Sequence, residues 1–170
     1  MLDKRMEEAL NKQINAEFYS AYLYLSMAAQ FDALGLKGGA NWMNVQFQEE
    51  TAHAMKFFAY VTERGGRVQL EAIEKPQTEW PSALAMFEHA LQHEQKVTGM
   101  IDALADLALE LKDHATHNLL QWFIAEQVEE EANASEMVQK LTLAKDSPAA
   151  LFNIDRDMAA RVFVPPTATA

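Results

Sequence analysis

Four glutamates stand where the sequence otherwise places apolar residues. Each lies near the middle of a long segment in which hydrophobic residues recur every three or four positions, so its carboxylate shares the helix face that should be buried. Carboxylates grouped in an apolar interior repel one another, and each buried charge costs several kcal/mol unless it has a partner. The four residues are Glu17, Glu50, Glu94 and Glu130.

Several arrangements would make such a group of carboxylates tolerable. A single glutamate in an apolar stripe is typical of a boundary residue whose carboxylate reaches solvent, and grouped carboxylates can also take up protons with raised pKa values. Lysine or arginine could neutralise them, but neither residue type occurs on these stripes near the middle of the segments. A bound cation is the remaining partner, and two divalent ions would match the charge of the four glutamates. The pattern therefore favours a metal site.

His53 narrows the chemistry of this site. Glu50 and His53 are three residues apart, so on a helix both side chains reach the same point. A lone buried histidine is more often a hydrogen-bonded core residue, but the neighbouring glutamate favours a metal ligand here. Carboxylate oxygens with one imidazole and no sulfur suit iron or manganese better than structural zinc. A carboxylate that bridges two such ions would hold them close enough for two-electron chemistry with dioxygen.

Long helical segments must position these residues. Glycine and proline are scarce and fall in clusters, between segments rich in alanine, leucine, methionine, glutamate and glutamine, which are good helix formers. Ser147 followed by Pro148 is typical of the start of a further short helix. The sequence predicts helices over residues 3–33, 37–65, 82–111, 115–144 and 148–160.

The links between these helices predict an all-α fold. Short links join the first helix to the second and the third to the fourth, so each pair is expected to form an antiparallel hairpin. Residues 66–81 are long enough to cross the length of a bundle. We therefore expect a four-helix bundle of two antiparallel hairpins joined by a long crossover, plus a short C-terminal fifth helix. Residues 1–163 would form a single domain and residues 164–170 an irregular tail.

Both hairpins would carry their carboxylates at a similar level. With the first turn taken at residue 35, Glu17 lies 18 residues before it and Glu50 lies 15 after it. With the second turn taken at residue 113, Glu94 lies 19 residues before it and Glu130 lies 17 after it. Residues equally far from the turn of an antiparallel hairpin face each other. The four carboxylates are therefore expected to converge near the middle of the bundle.

Composition limits the classes of partner and the compartment. The chain has no cysteine, which excludes disulfides, zinc–thiolate sites and cysteine-ligated iron–sulfur clusters, and which fits a reducing cytosol. The net charge of −11 disfavours nucleic acid and anionic membranes as partners. The charged N-terminal segment lacks the apolar core of a secretory signal, and no apolar run is long enough to span a bilayer. We expect a cytoplasmic protein that binds neither nucleic acid nor membranes.

The sequence resembles the ferritin family, and most closely the bacterial non-haem ferritins. The similarity covers almost the whole chain and is carried by the segments NAEFYSAYLYLSMA, FQEETAHAMKF, HEQKV, WFIAEQVEEE and LFNIDRDMAAR. This resemblance implies a ferritin-like bundle and a hollow homo-oligomeric shell of twenty-four subunits. It also implies a ferroxidase, which oxidises Fe(II) with O2 or peroxide and stores the product as a ferric oxide mineral.

One departure separates the chain from related di-iron proteins. Bacterioferritins and rubrerythrins have a second Glu-x-x-His in the fourth helix, where this chain has Gln127-x-x-Glu130. Bacterioferritins also bind haem through a methionine between the glutamate and the histidine of the second helix, where this chain has Thr51 and Ala52. The resemblance to non-haem ferritins therefore implies iron as the metal and no haem.

The resemblance also implies a role for each central ligand. Glu17, Glu50 and His53 would hold the first of two iron ions in each subunit. Glu50 would bridge to the second ion, which Glu94 and Glu130 would also hold. Gln127 would lie nearby as a hydrogen-bond donor rather than as a ligand.

Further acidic residues lie beside the central set. Non-haem ferritins have a third iron position next to the pair, and the resemblance implies that its ligands here are Glu49, Glu126, Glu129 and Glu130. Glu126 and Glu129 are three residues apart, and Glu49 is one step round the second helix from Glu50. An acidic run of this kind is also typical of a solvated helix face, which is the alternative interpretation.

Aromatic and histidine residues near the site can be interpreted as functional groups or as ordinary structural residues. The resemblance implies that Tyr24, two helical turns after Glu17, forms a hydrogen bond near the metals and supplies an electron to reduced oxygen; its position alone indicates an ordinary core tyrosine. Trp122 is either another electron source or a packing residue. His89 and His93 have the spacing of some metal sites. We expect them to be solvated, because His89 lies off the apolar stripe.

Two other functions are compatible with the same residues. A di-iron redox enzyme acting on peroxide or an organic substrate would use the same ligands, with an apolar substrate pocket and no shell. A metal-free bundle that serves as a structural or interaction module would leave its carboxylates exposed.

Overall fold

Five helices make up most of the chain in a computed structural model, which describes residues 2–145 and 147–166. Those residues contain no strand and no helix with the length and hydropathy of a bilayer span. The all-α prediction is confirmed, and no predicted helix end differs from the observed end by more than two residues. Residues 167–170 of the predicted tail lie outside the described ranges. The helices are α1 (Lys4–Ala33), α2 (Lys37–Glu63), α3 (Ala83–Glu110), α4 (His114–Ala144) and α5 (Pro148–Met158).

Side-chain caps fix the starts of four helices. Asp3, Ser82, Asp113 and Ser147 accept hydrogen bonds from backbone N–H groups in the first turns of α1, α3, α4 and α5. These bonds satisfy donors that a helix leaves unpaired at its start. Gly35 adopts a φ of +77°, a conformation in which a side chain would be strained. It reverses the chain within the short link and makes α1 and α2 a hairpin.

The crossover between α2 and α3 follows the outside of α1. At one end, the Asn11 side chain donates to the Arg67 carbonyl at 3.0 Å and accepts from the Gln69 N–H at 2.7 Å. At the other end, Gln30 donates to the Trp80 carbonyl at 2.6 Å and accepts from the Trp80 N–H at 2.8 Å. Nineteen helical residues separate these two anchors, a length of about 28 Å. The predicted long crossover is therefore confirmed, and α3 starts at the end of the bundle where α1 finishes.

The fifth helix packs against the start of α2. Asp155 of α5 accepts a hydrogen bond from the Gly39 N–H at 2.8 Å, which caps a helix that has no capping side chain of its own. A side chain at Gly38 would overlap the Asp155 carbonyl, so the close approach of the two helices requires glycine there. Asn41 then donates to the Arg161 carbonyl at 2.9 Å and fixes the chain beyond α5.

A polar layer divides the interior of the bundle into two apolar clusters. One cluster contains Met27, Met43 and Phe87 together with neighbouring residues near the α1–α2 turn, and the other contains Leu10 and Phe57 with neighbours towards the opposite end. Each long helix has buried polar residues between the two clusters, and the apolar clusters on both sides exclude water from them. They are Glu17, Ser20, Gln46, Glu50, His53, His93, Glu94, Gln127 and Glu130.

Candidate metal centre

Glu17, Glu50 and His53 converge in the polar layer. Each offers one ligand atom, and these atoms lie within 4.8 Å of one another; of the residues that the structure describes, this is the group of three that could hold one ion. His53 Nδ1 is 3.6 Å from Glu50 Oε2, as the three-residue spacing on α2 predicts. Glu17 Oε2 is buried without a hydrogen-bond partner. Such an unpaired oxygen is costly in a protein interior, and a cation would satisfy it.

Glu94 and Glu130 lie in the same buried layer, on α3 and α4. The four central glutamates are between 1% and 5% exposed, which is rare for this residue type. The Tyr24 hydroxyl donates to Glu94 Oε1, and Gln127 Nε2 donates to Glu94 Oε2 at 3.2 Å. Gln127 is therefore a hydrogen-bond donor in this structure.

Among the residues that the structure describes, no lysine or arginine pairs with the carboxylates of this layer, and the basic side chain beside them is His53. Burial raises the pKa of Glu50 well above its usual range, and the charges of Glu94, Glu17 and Glu130 add to the effect. Burial and the charge of Glu130 raise the pKa of Glu94 to about 8, although hydrogen bonds from Tyr24 and Gln127 oppose this. Burial and the nearby carboxylates also raise the pKa of Tyr24. Divalent cations are the partners that would let all four carboxylates ionise together.

Three buried glutamine amides hold these carboxylates in place. Gln13 Nε2 donates to Glu17 Oε1 at 2.8 Å, Gln46 Nε2 donates to Glu130 Oε2 at 2.9 Å, and Gln127 does the same for Glu94. Groups that orient ligand side chains are part of a working metal site. Sequence reasoning gave Gln13 and Gln46 no role. The sequence does place Gln13 one helical turn before Glu17, and Gln46 one turn before Glu50, on the buried faces of α1 and α2.

Of the residues proposed for a third iron position, Glu130 is buried in the centre, whereas Glu49, Glu126 and Glu129 lie to one side and are less buried. Glu126 Oε2 is 4.0 Å from His53 Nε2, and Glu129 is exposed. Glu49 forms an ion pair with Arg161, whose Nη2 donates to Glu49 Oε2 at 2.7 Å. Burial raises the pKa of Glu49 to about 7 despite this ion pair. Sequence reasoning missed Arg161 because it lies 112 positions further along the chain.

Comparison with known proteins identifies the family. The sequence model of the ferritin-like domain family matches residues 7–144, which include every residue of the centre described above. The chain belongs to the ferritin family. A bacterial non-heme ferritin from Bacteroides fragilis is 42% identical over 161 residues, which are 95% of this chain and 100% of the relative. One from Staphylococcus saprophyticus is 41% identical over 163 residues, covering 96% and 98% of the two chains.

Solved structures agree with this assignment. An open-pore ferritin from the hyperthermophilic archaeon Archaeoglobus fulgidus superposes with a TM-score of 0.94 and 56% identity, over 95% of this chain and all of the other. An engineered closed form of the same ferritin gives a TM-score of 0.95 and 56% identity, over 96% of this chain and all of the other. The predicted ferritin-like bundle with a fifth helix is thereby confirmed.

The prediction that His89 and His93 are solvated is wrong for His93, while His89 is half-buried. His93 is only 8% exposed, and its Nε2 forms a 2.7 Å hydrogen bond with Ser20 Oγ. Burial lowers the pKa of His93 to about 4, so the ring is neutral at pH 7. His89 Nδ1 accepts from the Trp80 indole N–H at 2.9 Å. The crossover covers this part of α3, an effect that the periodicity of α3 alone does not indicate.

The burial of the central glutamates and the contacts of Trp122 bear on two further expectations. A metal-free bundle predicts exposed carboxylates, and this is wrong because the four central glutamates are buried. Trp122 packs edge-on against the His53 ring at 5.4 Å, and the Lys56 ammonium lies 4.0 Å from the centre of its ring. These contacts give Trp122 a packing role beside the centre.

Replacing Gln46 by leucine tests whether the amides position the ligands. We expect metal affinity at the Glu130 side of the centre to fall about 10- to 100-fold, because that carboxylate loses its donor while no proposed ligand is removed. Fold stability should change little, because Gln46 Oε1 is itself buried without a partner and the leucine removes it. Calorimetric titration with a divalent metal measures the affinity.

The matched control for this variant is Gln48→Leu. Gln48 lies on the same helix, is exposed, and donates to the Asn44 carbonyl of its own helix. Its replacement should leave metal affinity unchanged. Equal affinities in Gln46→Leu, Gln48→Leu and the unmodified protein would show that Gln46 does not orient the centre.

Proposed function

We propose that this protein is the subunit of an iron store with ferroxidase activity. Fe(II) is its substrate, O2 or peroxide is the oxidant, and a ferric oxide mineral is the product. The observation that carries the proposal is the group of four buried glutamates, in which Glu17 Oε2 has no hydrogen-bond partner and none of the described lysines or arginines pairs with the carboxylates. Membership of the ferritin family supports iron as the metal that these carboxylates meet. No haem takes part in the proposed reaction.

The proposed ligands divide between two iron positions. Glu17, Glu50 and His53 bind the first Fe(II), and their convergence supports this set. Glu50 bridges to the second Fe(II), which Glu94 and Glu130 bind. Hard carboxylate oxygens suit iron ions, and the single imidazole adds affinity for a transition metal. Gln13, Gln46 and Gln127 keep the carboxylates oriented.

The reaction balances with two iron ions. Each Fe(II) gives up one electron, and the two electrons with two protons convert O2 to hydrogen peroxide, which is the overall oxidation of two ions by one O2. Holding both ions in one water-poor layer makes the two-electron transfer possible, whereas separate ions would have to react one at a time. The carboxylates release their protons as Fe(II) binds. The Tyr24 hydroxyl donates to Glu94 and holds this carboxylate in place.

The proposed setting is a cytoplasmic homo-oligomeric shell of twenty-four subunits that binds neither nucleic acid nor membranes. Several large apolar side chains are exposed on the isolated subunit, which supports burial between subunits. The most exposed in α4 and α5 are Val128, Leu143 and Phe152. The surplus of acidic residues supports attraction of cations to the assembly.

Aerobic addition of Fe(II) in large excess over subunits tests the storage function. We expect a soluble mineral whose iron-to-chain ratio far exceeds the two or three ions that the carboxylates could bind directly. Size-exclusion chromatography with light scattering should give an assembly of several hundred kilodaltons, about 460 kDa for twenty-four copies of the 19.1 kDa chain. Iron eluting with that assembly would combine both observations.

The same experiment separates the rival function. A di-iron enzyme acting on peroxide or an organic substrate would bind no more than a few ions per chain and would need no shell. A monomer or dimer whose excess iron precipitates would therefore contradict storage and favour the enzyme.

A further inference from the structure

A guanidinium group already lies at the side of the centre where the third iron position is proposed. Arg161 Nη2 donates to Glu49 Oε2 at 2.7 Å, and the two side chains are 20% and 22% exposed. The guanidinium carbon is 4.3 Å from the centre of the Trp42 ring, at a distance typical of cation–π contact. Glu49 is therefore paired with a cation that belongs to the chain itself.

The backbone places this arginine with defined contacts. Arg161 follows α5 in the C-terminal segment 159–166, and Asn41 of α2 donates to the Arg161 carbonyl at 2.9 Å. Only one edge of the guanidinium is bonded, because Arg161 Nη1 is buried without a hydrogen-bond partner. Arginine commonly binds a carboxylate through two parallel hydrogen bonds. The pair with Glu49 is therefore held in place but does not use the full bonding capacity of the arginine.

Arg161 shares one cavity with the acidic residues of this side. The cavity has a volume of about 450 Å³, and Glu49, His53, Glu126 and Glu129 line it together with Arg161. Three carboxylates thus face a single guanidinium, which leaves the cavity negative. The charges of Glu126, Glu129 and Glu130 all act on Glu49, and Arg161 opposes them. A divalent cation entering this cavity would be attracted by the carboxylates and repelled by Arg161.

We propose that Arg161 is an internal counter-ion that competes with a third metal ion for Glu49. It stabilises the Glu49 carboxylate while the third position is empty, and it must give up that carboxylate when a divalent cation binds there. Arg161 thereby weakens the third position relative to the two central positions. Because segment 159–166 carries the arginine, metal binding also loosens the contact of that segment with α2. The inference rests on the proposed function, since it assumes that metal ions enter this cavity.

The test is metal binding to the assembled protein. Calorimetric titration with Zn²⁺, which is not oxidised, should show two tighter positions per chain and one weaker position. In Arg161→Gln, the weaker position should bind about tenfold more tightly, because a repelling charge has been removed. Arg161→Lys keeps that charge and should restore the weaker binding. Size-exclusion chromatography checks that each variant assembles.

Two matched controls accompany this titration. Arg156→Gln removes the same charge from α5, at an exposed arginine that pairs with Asp157, and should leave all Zn²⁺ affinities unchanged. Glu49→Gln combined with Arg161→Gln should lose the third position and keep the two central ones. A third position seen only after Arg161 is replaced would also support the competition.

Hydrogen exchange gives a readout that does not depend on affinity. The amides of Ala159, Ala160 and Arg161 donate to backbone carbonyls of α5. They should exchange faster in the unmodified protein when Zn²⁺ is in excess, and in Arg161→Gln they should exchange fast with or without the metal. An Arg161→Gln protein whose third position is absent, unchanged or weaker, while two ions still bind centrally, would overturn the role of Arg161 alone. If the unmodified protein bound no Zn²⁺ at the two central positions, the proposed function would be overturned, and this inference with it.

Discussion

Replacing Glu17 or Glu94 by alanine is expected to slow the fast phase of Fe(II) oxidation at least about a hundredfold, equivalent to roughly 2.7 kcal/mol of activation free energy. Each replacement removes a carboxylate from one of the two proposed iron positions. Two-electron transfer to oxygen requires both ions, so the loss of either ligand should remove the fast phase and leave only slow oxidation in solution. Stopped-flow absorbance after mixing with Fe(II) in air measures the rate.

The control variants are Glu8→Ala and Glu88→Ala. Both glutamates are exposed, on α1 and α3 respectively, so the same change of residue type on the same helices tests for general effects of lost charge. Both controls should keep the fast phase. An unchanged fast phase in both Glu17→Ala and Glu94→Ala would show that the ligands have been assigned wrongly.

Glutamine variants separate lost chemistry from lost packing. Glu17→Ala leaves the Gln13 amide without its acceptor, and Glu94→Ala does the same to the Tyr24 hydroxyl. Unpaired buried donors destabilise the surrounding structure as well as removing a ligand. Glu17→Gln and Glu94→Gln keep the shape and an acceptor oxygen but remove the charge. They should be as slow as the alanine variants if the charged carboxylate is what binds iron.

The positions of the central ligands follow from local periodicity. An apolar stripe broken by Glu50 and His53 identifies the buried face of α2 without knowledge of any other helix. The distances of Glu17 and Glu94 from their turns then give the level at which the stripes meet. Both signals depend on helix geometry, which is the same in every protein. For this reason the sequence could predict the bundle and five residues of its polar layer, Glu17, Glu50, His53, Glu94 and Glu130, but not Ser20 or His93.

Side-chain partners across helices could not be predicted in the same way. Gln46 lies one turn before Glu50 on α2, yet its amide donates to Glu130 on α4. Arg161 reaches Glu49 only because Asp155 and Asn41 hold the chain beyond the bundle against α2. These pairings depend on rotamers and on the packing of separate elements. Neither has a fixed spacing along the chain.

The carboxylates of the centre should make the metal-free protein less stable as pH rises. The pKa of Glu94 is raised from 4.5 to about 8, so its folded form holds a proton that the unfolded chain releases near pH 4.5. Stability from this group is complete below pH 4.5 and is lost as pH rises through 8. The loss is shared with the carboxylates that titrate together with Glu94, and it amounts to several kcal/mol. Denaturant unfolding of the metal-free protein between pH 5 and 9 measures it.

Replacing Glu94 by glutamine should weaken this pH dependence, because glutamine has no proton to lose. The variant should be more stable than the unmodified protein at pH 8 without metal, and its stability should vary less with pH. Glu88→Gln, at an exposed position of the same helix, should change neither property. A pH dependence in Glu94→Gln as steep as in the unmodified protein would show that the raised pKa of Glu94 is not its source.

Divalent metal should oppose the same loss, because ions bind to the charged carboxylates that high pH exposes. An ion present at a hundred times its Kd stabilises the folded state by about 2.7 kcal/mol, and its affinity should increase as protons leave the site. The stabilisation by Zn²⁺ should therefore be larger at pH 8 than at pH 6, and much smaller in Glu94→Gln. Equal stabilisation at both pH values would mean that metal and protons do not compete for these carboxylates. The centre is thus expected to destabilise the metal-free protein through the same charges that bind the metal.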